Sequence, residues 1–326
     1  MVHTVATNSN PNTTKLCNMK SSIILSIALL VAASASAQEA PKNKVIITGV
    51  RFTYPLVEHW IKGYTADHPG ANVVIETRTT TDPSKYDLLI EAYEPEKAVK
   101  ESRDYLYIGR YALLPVANAT SAFAQAYKDK GFTKPLIKQL YFNDILADKD
   151  KQQEIKAPYT VYTRLQKAGA PVTFARYFGF EQSNITGKAI AGADEHLLKA
   201  LLKDSTGLSY SVPGLLYDRQ TRQPVTGLAV LPVDLDDNGK VQDSEKIFGN
   251  LDAVLTRLEE GDTRNVPVEY LHLSLSKVNT NTEALKFLLW VIEHGQEDLH
   301  TYGYLKPEPK RFDTEKEKFE QRAAAR

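Results

Sequence analysis

The alternation of strand-like and helix-like segments after residue 44 constrains the fold of this 326-residue chain more than any other feature. The β-branched run 45–49 ends at a glycine and predicts a buried strand. Apolar residues at helical spacing follow Pro55 and stop at Pro69-Gly70. Two further strand patterns cover 72–77 and 86–92. A strand, a helix and two more strands in this order predict an α/β lobe.

The rest of the chain repeats both patterns, and its length suggests about two domains. We predict further strands at 110–117, 159–165, 228–233 and 269–274. We predict helices at 121–130, 135–140, 142–145, 171–178, 194–203, 246–259 and 282–293. From Lys306 onward, charges of both signs recur at helical spacing, which predicts a solvated helix or a frayed end.

The N-terminal region has the pattern of an export signal. Met19-Lys20 precedes the apolar run 23–33, and the small residues Ala35-Ser36-Ala37 follow it. The run is too short to cross a bilayer. We therefore expect 19–37 to be a cleaved signal peptide, 1–18 to be a dispensable extension and the mature protein to be periplasmic. The single cysteine precedes the apolar run, so the mature chain would contain neither a disulfide nor a lipid anchor.

Composition and motifs argue against several classes of protein. The chain carries 40 basic and 40 acidic residues, so it lacks the positive excess of a nucleic-acid binder. A hydrophobic content of 42% is typical of a globular chain and not of a membrane-embedded one. The sequence contains no G-x-S-x-G, H-E-x-x-H, P-loop or G-x-G-x-x-G motif. We therefore predict a protein that is not an enzyme.

One segment matches a metal-binding pattern completely. Residues 234–245 fit D-x-[DN]-x-[DN]-G-x₅-E, the spacing of a calcium loop. Calcium takes about 6–8 oxygen ligands, and Glu245 would supply two of them from the first turn of the next helix. Because a strand pattern enters the loop, we expect one structural ion and not a calcium switch; an acidic turn without an ion is the alternative. The candidate ligands are Asp234, Asp236, Asn238, the Lys240 carbonyl, Gln242 and Glu245.

Short segments along the chain resemble, in their order, the phosphate-type substrate-binding proteins of ABC importers, which have the type 2 periplasmic-binding-protein fold. These segments are 49–56, 86–90, 112–118, 140–145, 162–174, 207–210 and 281–304. The resemblance implies a two-lobed α/β fold with a ligand cleft between the lobes. It places 39–114 and 271–305 in lobe I, 115–270 in lobe II and 306–326 in a charged tail.

The same resemblance implies a small anionic solute and a partner permease, with the binding protein itself a monomer. The ligand is expected to be phosphate or another oxyanion. Where the family has Ser-Gly-Thr, however, this chain has Ala168-Gly169-Ala170, which removes two hydroxyl donors. A larger organic ligand therefore stays open, as does a calcium-stabilised envelope binding or scaffold protein with the same fold. The implied ligand-binding residues are Arg51, Thr53, Asp87, Arg164, Gly169 and Thr173.

Overall fold

The computed structural model describes residues 44–80, 82–94, 96–142, 152–261 and 263–325. The predicted N-terminal extension, the predicted signal peptide and residues 143–145 of the predicted 142–145 helix lie outside these ranges. Within them, the strands are β1 (Lys44–Gly49), β2 (Asn72–Ile75), β3 (Leu88–Glu91), β4 (Arg103–Ala112), β5 (Leu114–Asn118), β6 (Thr160–Arg164), β7 (Lys188–Ile190), β8 (Gly207–Ser211), β9 (Leu228–Val230) and β10 (Val268–Ser276).

Most helices of the described residues lie between these strands. They are α1 (Tyr54–Asp67), α2 (Lys97–Ser102), α3 (Ala122–Tyr127), α4 (Lys134–Tyr141), α5 (Gly169–Tyr177), α6 (Asp194–Lys203), α7 (Pro213–Leu216), α8 (Leu251–Glu260), α9 (Thr282–His294) and α10 (Pro309–Ala324). Among the described residues, no helix is both long enough and apolar enough to cross a membrane.

The first sheet has the strand order β2-β1-β3-β10-β4. Strand β1 runs parallel to β2 and β3, whereas β10 runs antiparallel to β3 and β4. Helix α1 makes the crossover between β1 and β2 and buries Trp60 and Tyr64 completely. The ring of Tyr64 meets Phe287 of α9 edge to face at 5.3 Å. Aromatic side chains thus hold both helices in the core of this lobe.

The second sheet has the strand order β7-β6-β8-β5-β9. Its core is also aromatic: Phe174 of α5 stacks on Tyr210 of β8 with ring centroids 4.0 Å apart. Tyr141 of α4 lies edge to face against the same Phe174 at 5.0 Å. Helix α5 is therefore fixed on the second sheet by rings near its middle, which leaves its first turn free to face other groups.

The predicted strand 110–117 is wrong as a single element. The structure divides it into β4 and β5, which belong to different sheets. Leu113 stands between them and donates its backbone N–H to the carbonyl of Pro267 at 2.9 Å. The two strands are buried throughout apart from Arg110, so the continuous apolar pattern does not reveal where the chain changes sheets.

The charged C-terminal segment is a helix that packs on the first sheet, contrary to the predicted solvated helix or frayed end. Phe319 of α10 is fully buried. The Arg311 guanidinium lies 3.5 Å from the ring centroid of Tyr107 and 4.1 Å from that of Tyr270. The Glu315 carboxylate accepts the backbone N–H of Tyr107 at 2.6 Å. Mixed charges can therefore face a sheet when the sheet offers tyrosine rings and free N–H groups.

Candidate functional site

A cleft of about 390 Å³ lies where loops from both sheets meet. Its walls are the segments that follow β1, β3, β6 and β7, together with Arg78 after β2. Ligands of open α/β sheets bind at the carboxyl ends of strands, where these segments lie. The lining residues are Gly49, Val50, Arg51, Phe52, Arg78, Ile90, Glu91, Tyr93, Arg164, Gln166, Lys167, Ala168, Gly169, Gly192 and Asp194.

Helical turns begin at three places on the wall of the cleft. The 3₁₀ turn Arg51–Thr53 leads into α1, α5 starts at Gly169 and α6 starts at Asp194. The first N–H groups of a helix have no acceptor within that helix, and its N-terminus carries a partial positive charge. Backbone geometry therefore makes the cleft favourable for a negatively charged group.

Charged side chains strengthen this preference. Among the lining residues, four are cationic and two are anionic. Arg164 Nη1 donates to Asp194 Oδ2 at 2.9 Å, and both side chains are largely buried. Burial raises the pKa of Asp194, an effect that the Arg164 guanidinium opposes. The other three cations, Arg51, Arg78 and Lys167, are exposed to solvent, so the cleft has a positive excess.

Three of the six predicted ligand-binding residues lie on the cleft wall: Arg51, Arg164 and Gly169. The other three, Thr53, Asp87 and Thr173, do not line it and are held by hydrogen bonds elsewhere. Thr53 Oγ1 donates to the Val50 carbonyl at 2.6 Å. The Asp87 carboxylate accepts the Ile46 N–H and the side-chain amides of Asn279 and Asn281.

Thr173 belongs to a direct contact between the two lobes. Its Oγ1 lies 2.8 Å from Tyr111 Oη, and Tyr111 also donates to the Ala92 carbonyl. Gly169 approaches the same place, because a Cβ added there would lie 2.8 Å from Ala92 Cβ. Any larger residue at 169 would therefore push the lobes apart at the start of α5.

The sequence-based prediction missed Arg78, Glu91, Lys167 and Asp194. Arg78 and Glu91 stand at or just beyond the carboxyl ends of predicted neighbouring strands, and that position is a signal that could have found them. Glu91 is unusual in the cleft. Its side chain is 18% exposed, and its Oε2 is buried without a hydrogen-bond partner among the described residues.

Directly opposite Glu91, on the neighbouring strand β10, lies His272, a residue with 1% exposure. His272 Nε2 is 3.6 Å from Glu91 Oε2, just beyond hydrogen-bond length, and neither ring nitrogen has a hydrogen bond among the described residues. The imidazole packs against the rings of Tyr105 and Tyr107, with centroids 5.0 and 5.4 Å away.

The 234–245 loop is a second place where carboxylates gather. Asp234 is fully buried and accepts the N–H groups of Asn238 at 3.1 Å and Gly239 at 2.8 Å. Glu245 accepts those of Leu235 at 2.6 Å and Gln242 at 2.7 Å. Each buried carboxylate of the loop therefore already has backbone donors.

The loop differs in one respect from the predicted calcium loop. Glu245 lies in a separate 3₁₀ turn, Asp243–Glu245, and not in the first turn of the next helix. Its bond to the Gln242 N–H closes that single turn, and α8 begins only at Leu251, where the Asn250 side chain caps it. The predicted helix 246–259 thus starts too early.

The structure brings only some of the predicted metal ligands together. One carboxylate oxygen from each of Asp234, Asp236 and Glu245 lies within 4.8 Å of the others. The Asn238 side chain donates to Asp236 at 2.9 Å. Lys240 and Gln242 are exposed. Oxygens bound to one calcium ion at about 2.3–2.6 Å lie within about 5 Å of one another, so the three acidic side chains fit such an ion.

Two contacts outside the loop hold it in place. Val241 packs against the turn before α4, because a Cβ at Gly131 would lie 2.3 Å from Val241 Cγ2. Asn265, which the prediction missed, donates to the Asp234 carbonyl at 2.7 Å and to the Asp237 carboxylate at 3.0 Å. The loop is thus anchored by the turn before α4 on one side and by Asn265, just before β10, on the other.

No family model and no curated protein matches this chain. Similarity appears among solved structures. A putative phosphate ABC transporter substrate-binding protein with bound phosphate from Clostridium perfringens is 14% identical and has a TM-score of 0.62. That match covers 82% of this chain and 100% of the other. An ABC-type phosphate transport receptor from Vibrio cholerae is 12% identical with a TM-score of 0.56, covering 81% and 100%.

A point mutant of full-length BenM is 12% identical with a TM-score of 0.50, over 83% of this chain and 72% of the other. At such identities the likeness concerns the fold alone. The chain has the two-lobed α/β fold of the phosphate-type substrate-binding proteins, and the resemblance that the sequence motifs indicated is confirmed at the level of the fold.

Proposed function

We propose that this protein is an extracytoplasmic solute-binding protein that holds a small anion between its two lobes. The observation that carries the proposal is the meeting of three helix starts and four cationic side chains in one cleft. None of the described lining residues is a Ser, Thr, Cys or His. The cleft therefore favours binding over a reaction that needs a Ser or Thr hydroxyl, a thiol or an imidazole as the nucleophile.

The lobes would close on the anion by a hinge at the two crossing segments near Leu113 and Pro267. Arg51 and Arg78 come from the first lobe, and Lys167 comes from the second. An anion that touches both sets favours the closed form by its extra affinity for that form. Release would follow when a partner stabilises the open form, and we propose the permease of an ABC importer as that partner, on the periplasmic side.

Inorganic phosphate is the first ligand to test, because the two similar structures are those of phosphate-transport proteins. Calorimetry would compare the wild type with Arg51→Gln. Loss of a charged hydrogen bond should weaken phosphate binding about tenfold or more. Arg176→Gln removes the same charge from an exposed position of α5 outside the cleft and is the matched control. Equal phosphate affinity in Arg51→Gln and the control would contradict the proposed site.

A second candidate function is an envelope binding or scaffold protein of the same fold that calcium stabilises. We propose one structural ion at Asp234, Asp236 and Glu245, supported by the 4.8 Å grouping of their oxygens. Each carboxylate oxygen has two lone pairs, so an existing N–H bond leaves room for an ion. Asn238, Lys240 and Gln242 complete the predicted ligand set.

Calcium binding is tested by calorimetry on the wild type and on Glu245→Gln. The wild type should bind one ion, and Glu245→Gln should bind it far more weakly. A chelator should lower the melting temperature of the wild type, because an ion that binds only the folded state stabilises it. Calcium binding unchanged in Glu245→Gln, or a melting temperature unaffected by the chelator, would contradict the site.

A further inference from the structure

We infer that the cleft binds its anion together with one proton, and that the buried pair Glu91–His272 holds this proton. The inference rests on the proposed function, since it assumes that an anion occupies the cleft. It adds a second ligand to that site, because the anion and the proton each strengthen the binding of the other.

Unpartnered polar atoms gather around this pair. Eight buried side-chain nitrogen and oxygen atoms of the described residues lack a hydrogen bond, and four of them belong to Glu91, Tyr105 and His272. A buried polar atom without a partner raises the free energy of the folded state. A change in protonation that supplies a hydrogen bond is therefore favoured at this place.

The geometry identifies the two groups that share the proton. Glu91 of β3 and His272 of β10 are directly opposite each other on antiparallel strands, and Glu91 Oε2 lies 3.6 Å from His272 Nε2. A protonated imidazole carries an N–H on both ring nitrogens, so a small rotation of either side chain gives the carboxylate a charge-assisted hydrogen bond. Histidine is the side chain that ordinarily changes charge near neutral pH.

Burial makes the charge of the pair matter. The His272 ring is 1% exposed and the Glu91 side chain is 18% exposed, so water solvates neither charge well. With the proton on the imidazole the two charges balance, and without it the carboxylate charge has no counterpart. An uncompensated buried charge costs more than a buried ion pair. The pair therefore has a reason to keep its proton.

Carboxylates next to the pair also favour the proton. Glu94, just after β3, and Glu269 of β10 lie within electrostatic range of His272. Negative charges stabilise an imidazolium, although Lys100 of α2 binds Glu94 at 2.5 Å and offsets part of its charge. Burial raises the pKa of Tyr105 to about 12, so its hydroxyl stays neutral when the imidazole titrates.

The cations nearby do not give Glu91 another partner. Arg103 of β4 lies within electrostatic range of Glu91, but its guanidinium donates to Ser274 and to backbone carbonyls. From α10, the charged groups that contact Tyr107 beside the imidazole have opposite signs and are Arg311 and Glu315. His272 is thus the group of the described residues that can compensate Glu91 by taking up a proton.

The cleft responds to the pair because Glu91 is one of its lining residues. Asp194, the other acidic lining residue, is already paired with Arg164 at 2.9 Å. An ionised Glu91 beside a neutral imidazole repels an anion, and this repulsion is stronger where water is excluded. The protonated pair removes the repulsion, so the anion binds it more tightly. The anion must then strengthen proton binding by the same factor, and a rise in pH that removes the proton weakens anion binding.

Ring-nitrogen NMR on the full chain, with and without saturating phosphate, tests the inference. His272→Gln assigns the His272 signals. We expect His272 to titrate at a higher pH when phosphate is bound, with a few-fold gain in proton affinity. The exposed His294 lies outside the cleft and should titrate alike with and without the anion. The parallel measurement uses sulfate, whose own charge is constant over this range.

Glu91→Gln supplies a second readout. Without the carboxylate, phosphate should no longer change the titration of His272. Calorimetry at mildly alkaline pH should show phosphate binding a few-fold more tightly than in the wild type, because the repulsion is gone. Glu58→Gln removes the same charge from an exposed position of α1 outside the cleft and is the matched control. Thermal unfolding would verify that both variants fold.

The outcomes separate the inference from the proposed function. A His272 titration that neither bound anion changes would overturn the inference and leave the proposed function standing. A change that persists in Glu91→Gln would also overturn it, since the proton would then be linked to the anion by another route. Failure of both phosphate and sulfate to bind at any pH would overturn the inference and the proposed function together.

Discussion

The 234–245 loop and the interlobe cleft both bring charged side chains together, yet only the loop satisfies all of its buried charges with its own backbone. In the loop, Asp234 and Glu245 are buried and each accepts at least two backbone N–H groups. In the cleft, Asp194 is paired with Arg164 and Glu91 lies 3.6 Å from His272, but three cations face solvent. A loop built from twelve consecutive residues satisfies its own charges. A cleft built from distant segments leaves charges for a solute to satisfy.

This difference predicts separate roles for the two regions: the loop contributes to folding stability, and the cleft contributes to ligand affinity. The loop closes through its own hydrogen bonds, so an ion would add stability to a turn that is already formed. The cleft gains nothing from its unpaired groups until a ligand arrives. We therefore expect changes in the loop to lower folding stability and changes in the cleft to alter affinity.

The largest effect is expected for Glu245→Ala. It leaves the buried N–H of Leu235 without an acceptor, which should lower the free energy of unfolding by about 2–3 kcal/mol. Urea unfolding in the presence of a chelator measures this effect without any contribution from an ion. Glu245→Gln keeps one acceptor oxygen and should lose less. A stability within error of the wild type would show that the N–H bonds of Glu245 do not hold the loop.

A smaller effect is expected where the lobes touch beneath the cleft. Thr173→Val removes the hydroxyl that lies 2.8 Å from Tyr111 Oη and keeps the shape of the side chain. The free energy of unfolding should fall by about 1 kcal/mol in urea. Thr173→Ser restores a hydroxyl and should recover most of the loss. If Thr173→Val instead weakened phosphate binding and left stability unchanged, Thr173 would belong to the ligand site after all.

The smallest effect concerns the pH dependence of the Arg164–Asp194 pair. Burial raises the pKa of Asp194, so it protonates above the ordinary value of 3.8. Ionised Asp194 costs stability above its pKa, and this cost is relieved as the pH falls through it. Protonation also frees Arg164 and adds positive charge to the cleft.

Sulfate, whose charge stays constant over this range, should therefore bind a few-fold more tightly as the solution is acidified. Calorimetry at several pH values would measure the trend. Asp194→Asn should bind sulfate more tightly at neutral pH and lack this part of the pH dependence. Sulfate binding that weakens on acidification would contradict the assignment of the pair.

Local patterns predicted the elements better than the contacts between them. The helix after Pro55 and the 234–245 loop follow from spacing over a few residues, and the structure has both. Only the order of motifs predicts Thr53, Asp87 and Thr173 as ligand-binding residues, and the structure places all three away from the cleft wall. Their hydrogen-bond partners, such as Tyr111 for Thr173, lie far away in sequence and could not be predicted from it.

The same reason explains the error at the C-terminus. A helix with mixed charges predicts a solvated surface. The rings that Arg311 packs against belong to Tyr107 and Tyr270, which are too far away in sequence for a local pattern to predict the contact. Glu91 was missed because an acidic residue at the end of an apolar strand has many roles. Only the tertiary structure reveals that Glu91 lines the cleft and lies 3.6 Å from His272 of the neighbouring strand.

Helix α10 has a consequence for self-association. Strand β4 is the last strand of its sheet, and such a border offers free main-chain groups to other molecules. Here Leu305 exchanges two backbone hydrogen bonds with Arg110, and Glu315 takes the N–H of Tyr107. The C-terminal segment thus covers the edge strand β4 and occupies part of its free main-chain groups. We expect a chain that ends before Leu305 to leave the edge of β4 uncovered and to associate with other copies through this strand. This association would not depend on whether the cleft still binds its ligand.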